Sequence, residues 1–198
     1  MSEPFAPVLL VPRVLEPEFC DLLVRAYEET GGADSGVVRS DDAGRSVSVL
    51  DHEHKARRDA TIKDPELRRA YRERVQRYLL PEVLKAFQFR ATRIERYIVA
   101  CYEAGGHFGA HRDNTTSATA HRKFAVTINL NAEFEGGELR FPEFGDRTYR
   151  APAGTAVVFS CSLLHEVRPV TSGLRYCTLP FLYDEAGEAL RRRGEDET

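Results

Sequence analysis

The sequence predicts a mainly β protein with helices gathered at its N-terminal end, its strands folded as an antiparallel sandwich or jelly roll. Three observations carry that expectation. Helical periodicity is confined to the first ninety residues. Beyond residue 90, short runs rich in branched and aromatic residues recur. Turn signals separate them: EGG at 135–137, EFGD at 143–146, PAG at 152–154 and TSG at 171–173. At 198 residues, 42% of them hydrophobic and 30% charged, the chain is ordinary for a single globular domain spanning 1–198.

The opening MSEPFAPVLLVPRVLEPEF has no basic start, and prolines interrupt its apolar residues. It reads as neither a secretory signal nor a membrane span. Residues 16–28 predict a helix, because Phe19, Leu22, Leu23, Ala26 and Tyr27 recur at helical spacing and Gly31-Gly32 ends the pattern. Residues 31–50, rich in Gly, Ser and Asp, read as a mobile loop or a weak hairpin around Val37-Val38, placed to act as a lid. Asp64-Pro65-Glu66 combines a capping acid, a proline at the first helical position and an acid in the first turn. The stripe Leu67, Ala70, Tyr71, Val75, Tyr78 and Leu79 follows, with Pro81 expected to kink the helix or to start a second one ending near Phe87. This completes a helical part, 1–90.

The β-rich core, 91–185, is expected to contain strands at 92–102, 123–131, 138–141, 147–151, 155–160, 165–169 and 174–183. Pro180 argues that the last of these lies at a sheet edge or carries a bulge. Residues 186–198 form a charged tail, expected to fray. The net charge of −3 gives no field to attract nucleic acid or an anionic membrane. None of the four cysteines (20, 101, 161, 177) forms a C-x-x-C pair. They read as buried free thiols of a reducing cytoplasm, with disulfides as the alternative.

The candidate chemistry begins in GGHFGAHRDN, residues 105–114. His111 and Asp113 stand at i and i+2, which on an extended segment turns both side chains to one face. Two imidazoles and a carboxylate on one face of an octahedron leave three positions open, the arrangement of a mononuclear iron oxygenase. A third ligand must come from another strand, and His165, after the apolar run TAVVFS, is the candidate. Ten residues on, Arg175 lies between Leu174 and Tyr176 in an apolar strand. It either reaches solvent or an internal salt bridge, or it offers its guanidinium fork to a carboxylate. Each feature alone is commonplace; the ordered set H-x-D, H and R within a β-rich half is much rarer.

The segments ACYEAGGHFGAHRDN, TINLNAEFEGGELRFPEF and APAGTAVVFSCSLLHEVRPVTSGLRY resemble the Fe(II)/2-oxoglutarate-dependent oxygenases, most closely their prolyl 4-hydroxylase-like branch. The resemblance covers roughly residues 97 to 183 and weakens before them. It implies a double-stranded β-helix (jelly-roll) core with iron at its open end. His111, Asp113 and His165 match the iron ligands and Arg175 the group that binds the far carboxylate of 2-oxoglutarate. Tyr102 matches a tyrosine of the co-substrate pocket, and Leu139 a wall position. Asn129 stands where close relatives carry a co-substrate-binding tyrosine, and collagen-type prolyl hydroxylases carry lysine in place of Arg175. The carboxylate of Asp113 is absent from halide-transferring relatives, so hydroxylation is the expected outcome. Nucleic-acid demethylating relatives carry a second arginine soon after the first, whereas YCTLPFLY follows Arg175 here.

The resemblance thus implies a hydroxylase using Fe(II), 2-oxoglutarate and O2, with ascorbate as a reductant, that releases succinate and CO2. The implied substrate is a prolyl or other peptidyl group, or else a small molecule or free amino acid. A non-catalytic jelly-roll binding module and a cupin-like metal enzyme are the alternatives. The module would lack a ligand, and the cupin would leave Arg175 unexplained. Arg45, His107 and Arg140 are candidate substrate contacts, and His121, Arg122 and Lys123 candidate rim residues. His52 and His54 form an H-x-H pair crowded by Lys55, Arg57 and Arg58, which disfavours a metal there.

Overall fold

A computed structural model describes residues 5–196. Helix α1, Pro17–Thr30, starts with proline in its first turn and stops at Gly31, whose left-handed backbone (φ 59°) lets its N–H reach the Tyr27 carbonyl. Helix α2, Pro65–Arg74, is capped by the Asp64 carboxylate, which accepts from the Glu66 N–H at 2.9 Å. Pro81 does begin a second helix, α3, Leu80–Phe87. A π-helical turn, Val75–Leu79, joins the two, its end marked by the Leu80 N–H bonded to the Val75 carbonyl. The widened turn makes room just before a proline that cannot donate and whose ring would crowd the preceding turn.

The larger sheet runs Leu9–Val11, Ala156–Ser160, Phe124–Asn129, Arg175–Thr178, Ile98–Tyr102, Arg58–Thr61 and Ala33–Asp34. The smaller one runs Thr148–Tyr149, Leu139–Arg140, His165–Val167, His107–His111 and Lys55–Ala56. From residue 98 onward the main strands alternate between the sheets, 98–102 in the larger, 107–111 in the smaller, 124–129 in the larger, and so on to 175–178. That alternation is the double-stranded β-helix, so the predicted fold class holds.

Strand alternation divides the larger sheet's side chains cleanly. Val99, Cys101, Val126, Ile128, Val158, Tyr176 and Leu182 pack with the helices in one core. Ala125, Val157, Phe159 and Phe181 face the smaller sheet's Leu139 and the adjoining Phe141 in a second. Burial on both faces is why these strands read as continuous apolar runs. All four cysteines are buried free thiols.

Several expectations are corrected. The 92–102 strand is two, Arg93–Glu95 and Ile98–Tyr102, broken where Arg96 adopts a left-handed backbone (φ 64°). The 174–183 strand likewise divides into Arg175–Thr178 and Phe181–Tyr183 around Pro180, but it is not at an edge: Phe124–Asn129 flanks both halves on one side. On the other side the register slips by one residue at the Arg96 break, so the irregularity the proline demands sits in the neighbouring strand. Of the two readings of 31–50 the hairpin holds, with Val37–Ser40 paired to Ser46–Val49. The tail expected to fray forms helix α4, Glu185–Asp196; residues 197 and 198 lie outside the described residues. Among the described residues no helix is long and apolar enough to cross a membrane.

Gly154 ties the N-terminal segment to the jelly roll. Its carbonyl accepts from the Val14 and Leu15 N–H groups at 2.9 and 3.2 Å, and its own N–H donates to the Asn129 carbonyl at 2.9 Å. Its φ is +73°, and a Cβ would fall 2.1 Å from the Leu15 carbonyl oxygen. Gly154→Ala is expected to cost at least about 2 kcal/mol, from the left-handed strain plus the backbone clash. Thermal denaturation would show this as a fall of roughly 4–8 °C.

Candidate active site

His111 ends its strand in the smaller sheet and pairs directly across the ladder with His165. Asp113 follows just beyond the strand, where its backbone N–H donates to the Cys161 carbonyl at 3.0 Å. The three side chains converge between the sheets. Nε2 of His165 lies 3.4 Å from Asp113 Oδ2, and Nε2 of His111 lies 3.5 Å from Asp113 Oδ1. One donor atom from each falls within 4.8 Å of the others.

Both imidazoles are oriented by the same device. Nδ1 of His111 is 2.8 Å from the Gly109 carbonyl and Nδ1 of His165 is 3.0 Å from the Leu163 carbonyl. A carbonyl can only accept, so Nδ1 carries the proton and Nε2 presents its lone pair toward Asp113. His111 stacks on Phe108, ring centroids 3.5 Å apart, and His165 meets Phe159 edge-on at 4.6 Å. Burial pushes the His165 imidazole down to about 4 against the pull of Asp113, so it is neutral, the form that binds metals. Two donors bound to one ion at right angles lie about 3 Å apart. This site therefore fits a divalent transition metal with small adjustments, and its one-carboxylate, two-imidazole donor set suits Fe(II).

Arg175 opens its strand opposite Tyr102 and projects into the same cavity. It does not reach solvent, and among the described residues it has no salt bridge. Nε donates to Asn129 Oδ1 at 3.0 Å, Nη2 to Thr127 Oγ1 at 3.3 Å, and Nη1 is buried with no protein partner. Asn129 is held in turn, its amide donating to the Ala151 carbonyl at 2.8 Å. Gly137 makes room for the arginine stem, since a Cβ there would stand 2.9 Å from Arg175 Cδ. A buried unpaired donor costs about 1–3 kcal/mol. A guanidinium pinned on one side and bare on the other is a docking point for an acid. The cavity between it and the triad is walled by Tyr102, Phe108, Leu139, Phe159 and Val167, with Arg57 and Arg96 at its side.

Residues 97–183 match the family described as the 2OG-Fe(II) oxygenase superfamily. Over this segment the chain is similar to members of that superfamily. It is similar to a PKHD-type hydroxylase of Synechococcus sp. (strain JA-2-3B'a(2-13)), 31% identical over 100 residues, or 47% of this chain and 45% of that protein. The aligned stretch thus spans about half the length of the curated relatives it matches first. Among solved structures, a prolyl hydroxylase from Trichoplax adhaerens in complex with a hypoxia inducible factor oxygen degradation domain peptide fragment superposes with a TM-score of 0.67. It shares 19% identity over 93% of this chain and 86% of that one. The viral collagen prolyl hydroxylase of Paramecium Bursaria Chlorella virus-1 superposes with a TM-score of 0.64 at 19% identity, over 88% and 94%. These likenesses place the fold with the prolyl hydroxylases, and the matched family is, by its description, one of Fe(II)- and 2-oxoglutarate-using oxygenases.

The oxygenase frame brings Tyr102, Asn129, Leu139 and Arg175 to the cavity region, but Asn129 reaches it through the arginine. Other expected contacts lie elsewhere. His107 has both ring nitrogens 3.0 Å from backbone carbonyls, of Gly105 and Glu53. Arg140, on the strand face opposite Leu139, is bound to Glu166 and Asp146. Arg45 is exposed in the hairpin and paired with Asp41. His121 is not a rim residue; it is buried against Glu95, which also holds Arg122 at 2.6 Å.

Sequence reasoning missed Thr127, Arg57 and Arg96. Thr127 was legible in principle, because strand period places it on the face of Asn129. Arg57 pairs with Asp59 at 2.7 Å and donates to the Tyr102 hydroxyl at 3.2 Å. Asp59 also accepts from Arg96 at 3.0 Å. Nothing local in HEHKARRDAT marks those side chains as buried.

Proposed function

We propose that the chain is an Fe(II)- and 2-oxoglutarate-dependent dioxygenase that hydroxylates an unactivated C–H bond in a prolyl or other peptidyl substrate, releasing succinate and CO2. One observation carries the reading: three ligand atoms of the right kind meet in the cavity that also holds the bare Nη1 of Arg175. His111, Asp113 and His165 would hold Fe(II), and the Arg175 fork would receive the far carboxylate of 2-oxoglutarate. Bound together, metal and 2-oxo acid supply the oxidative decarboxylation that delivers oxygen to a C–H bond.

This chain's residues do the positioning. Asn129 and Thr127 fix the plane of the guanidinium, so the co-substrate is oriented on arrival. Tyr102, beneath Arg175 with its ring centroid 5.0 Å from the guanidinium carbon, and Leu139 wall the co-substrate. Phe108 and Phe159 keep bulk water from the imidazoles. Arg45 is the proposed outer contact for substrate. Ascorbate is the proposed reductant, and the cytoplasm the proposed compartment, in keeping with four unpaired thiols. A small molecule or free amino acid is the second reading, favoured by a compact cleft of about 240 Å³ beside His111 and Asp113.

Anaerobic addition of Fe(II) and 2-oxoglutarate is expected to produce the visible charge-transfer absorption of the chelate, and admitting oxygen to yield succinate. His111→Ala should abolish both. Absorption without succinate would reduce the protein to a binding module; succinate with no dependence on His111 would overturn the assignment.

A further inference from the structure

The cleft beside the metal triad is lined by five cations, Arg39, Lys55, Arg96, Arg112 and Arg122, and by one carboxylate, Asp113 of the triad itself. Three of these cations are matched by acids that do not line the cleft. Arg39 pairs with Asp51 at 2.6 Å, Arg112 with Glu143 at 2.7 Å and Arg122 with Glu95 at 2.6 Å. Lys55 and Arg96 are different. Asp59 is shared between Arg57 and Arg96, and among the described residues Lys55 forms no ion pair. Its Nζ donates to two neutral oxygens, Ser35 Oγ and the Gly36 carbonyl, both at 2.7 Å, and stands 4.8 Å over the Phe108 ring. Three cationic side chains thus surround one carboxylate; Lys55 and Arg57 are buried, and Arg96 is half-buried at the cleft wall.

Arg96 is the better placed of the two. Among the described residues its one side-chain hydrogen bond runs from Nη2 to Asp59, leaving Nε and Nη1 of this half-buried side chain open to a ligand. Its left-handed backbone, costly for a residue with a side chain, carries the guanidinium onto the wall shared by this cleft and the co-substrate cavity. A buried excess of positive charge is stabilised when an anion enters.

Building on the oxygenase reading, we propose that the substrate carries a carboxylate held by Arg96 and Lys55 within the cleft, beside the reacting position. The two cations would fix one end of the substrate so that a neighbouring C–H bond faces the open side of the triad. Burial, helped by Arg57, pushes the Lys55 amine down to about 6, so at neutral pH it takes up its proton as the anion enters. The carboxylate could belong to a free small acid or to an Asp or Glu side chain of a peptide.

The test replaces Fe(II) by Mn(II), saturates with 2-oxoglutarate and measures the paramagnetic relaxation of probe protons by NMR. The probes are N-acetylalanine, its neutral methylamide, and the peptide Ac-Ala-Ala-Glu-Ala-Ala-NH2 beside its glutamine analogue. At least one acidic probe is expected to bind ten-fold or more tightly than its neutral counterpart, and which one does so names the source. Arg96→Gln and Lys55→Met should each erase the preference, while Arg96→Lys restores part of it. Equal binding of acidic and neutral probes, or an undiminished preference in Arg96→Gln, would overturn the proposal. So would an absence of probe relaxation with Mn(II) and 2-oxoglutarate still bound, which leaves the oxygenase reading intact. Failure of Mn(II) and 2-oxoglutarate to bind would sink both.

Discussion

Asp113→Ala is expected to give a folded protein that neither retains Fe(II) nor releases succinate. Asp113 supplies the one negative charge among the three ligand atoms, and both imidazoles aim their Nε2 atoms at it. Losing a partner that merely orients a ligand typically costs 10- to 100-fold in metal affinity; losing an anionic ligand should cost at least about 100-fold. The fold should suffer much less. The His165 imidazole facing the carboxylate is neutral, and the alanine removes a desolvated charge without leaving an opposite one stranded. Metal content after gel filtration, succinate release and melting temperature of the metal-free protein separate the effects. The expected pattern is loss of metal and succinate with a melting temperature within a few degrees of wild type, on the order of 1 kcal/mol. A variant that kept its iron, or one that simply unfolded, would contradict the role given to this carboxylate.

The triad was readable in the sequence for a geometric reason. His111 and Asp113 are fixed relative to one another by two residues of backbone, and His165 need only occupy the strand hydrogen-bonded alongside. Arg175 announced itself as a charge in an apolar strand. The jelly roll was readable because turns and branched residues mark each strand locally. The basic corner was not, for the opposite reason. Lys55–Ala56 and Arg58–Thr61 are short strands whose pairing partners lie in the core at His107–His111 and Ile98–Tyr102, 37 to 53 residues on. A charged stretch with no apolar period reads as a solvated face, and only tertiary pairing turns Lys55, Arg57 and Asp59 inward. The break at Arg96 was hidden too, because the register slip there faces Pro180 in the paired neighbouring strand, distant along the chain.

Arg175→Met is expected to lose co-substrate affinity while keeping the fold. In the protein without 2-oxoglutarate the guanidinium is an expensive tenant: buried, unpaired by any carboxylate, with Nη1 unsatisfied. Methionine removes that desolvated charge and fills much of the same space. Against this gain, Asn129 Oδ1 and Thr127 Oγ1 lose their donors. The two effects have similar size, about 1–3 kcal/mol each, so the net change in stability should lie within about 1 kcal/mol of zero. Binding has no such compensation. Truncating one partner of a buried, hydrogen-bonded charge pair costs about 2–5 kcal/mol, which at 1.4 kcal/mol per decade is roughly 30- to 3,000-fold in the affinity for 2-oxoglutarate. Titrating the anaerobic Fe(II) chelate with 2-oxoglutarate, alongside a thermal melt, reads both quantities. Arg175→Lys should recover part of the affinity, since a point charge can hold a carboxylate without the fork. Should the methionine variant bind 2-oxoglutarate as tightly as wild type, the far carboxylate must dock elsewhere, with Arg57 and Arg96 the remaining cations on the cavity wall.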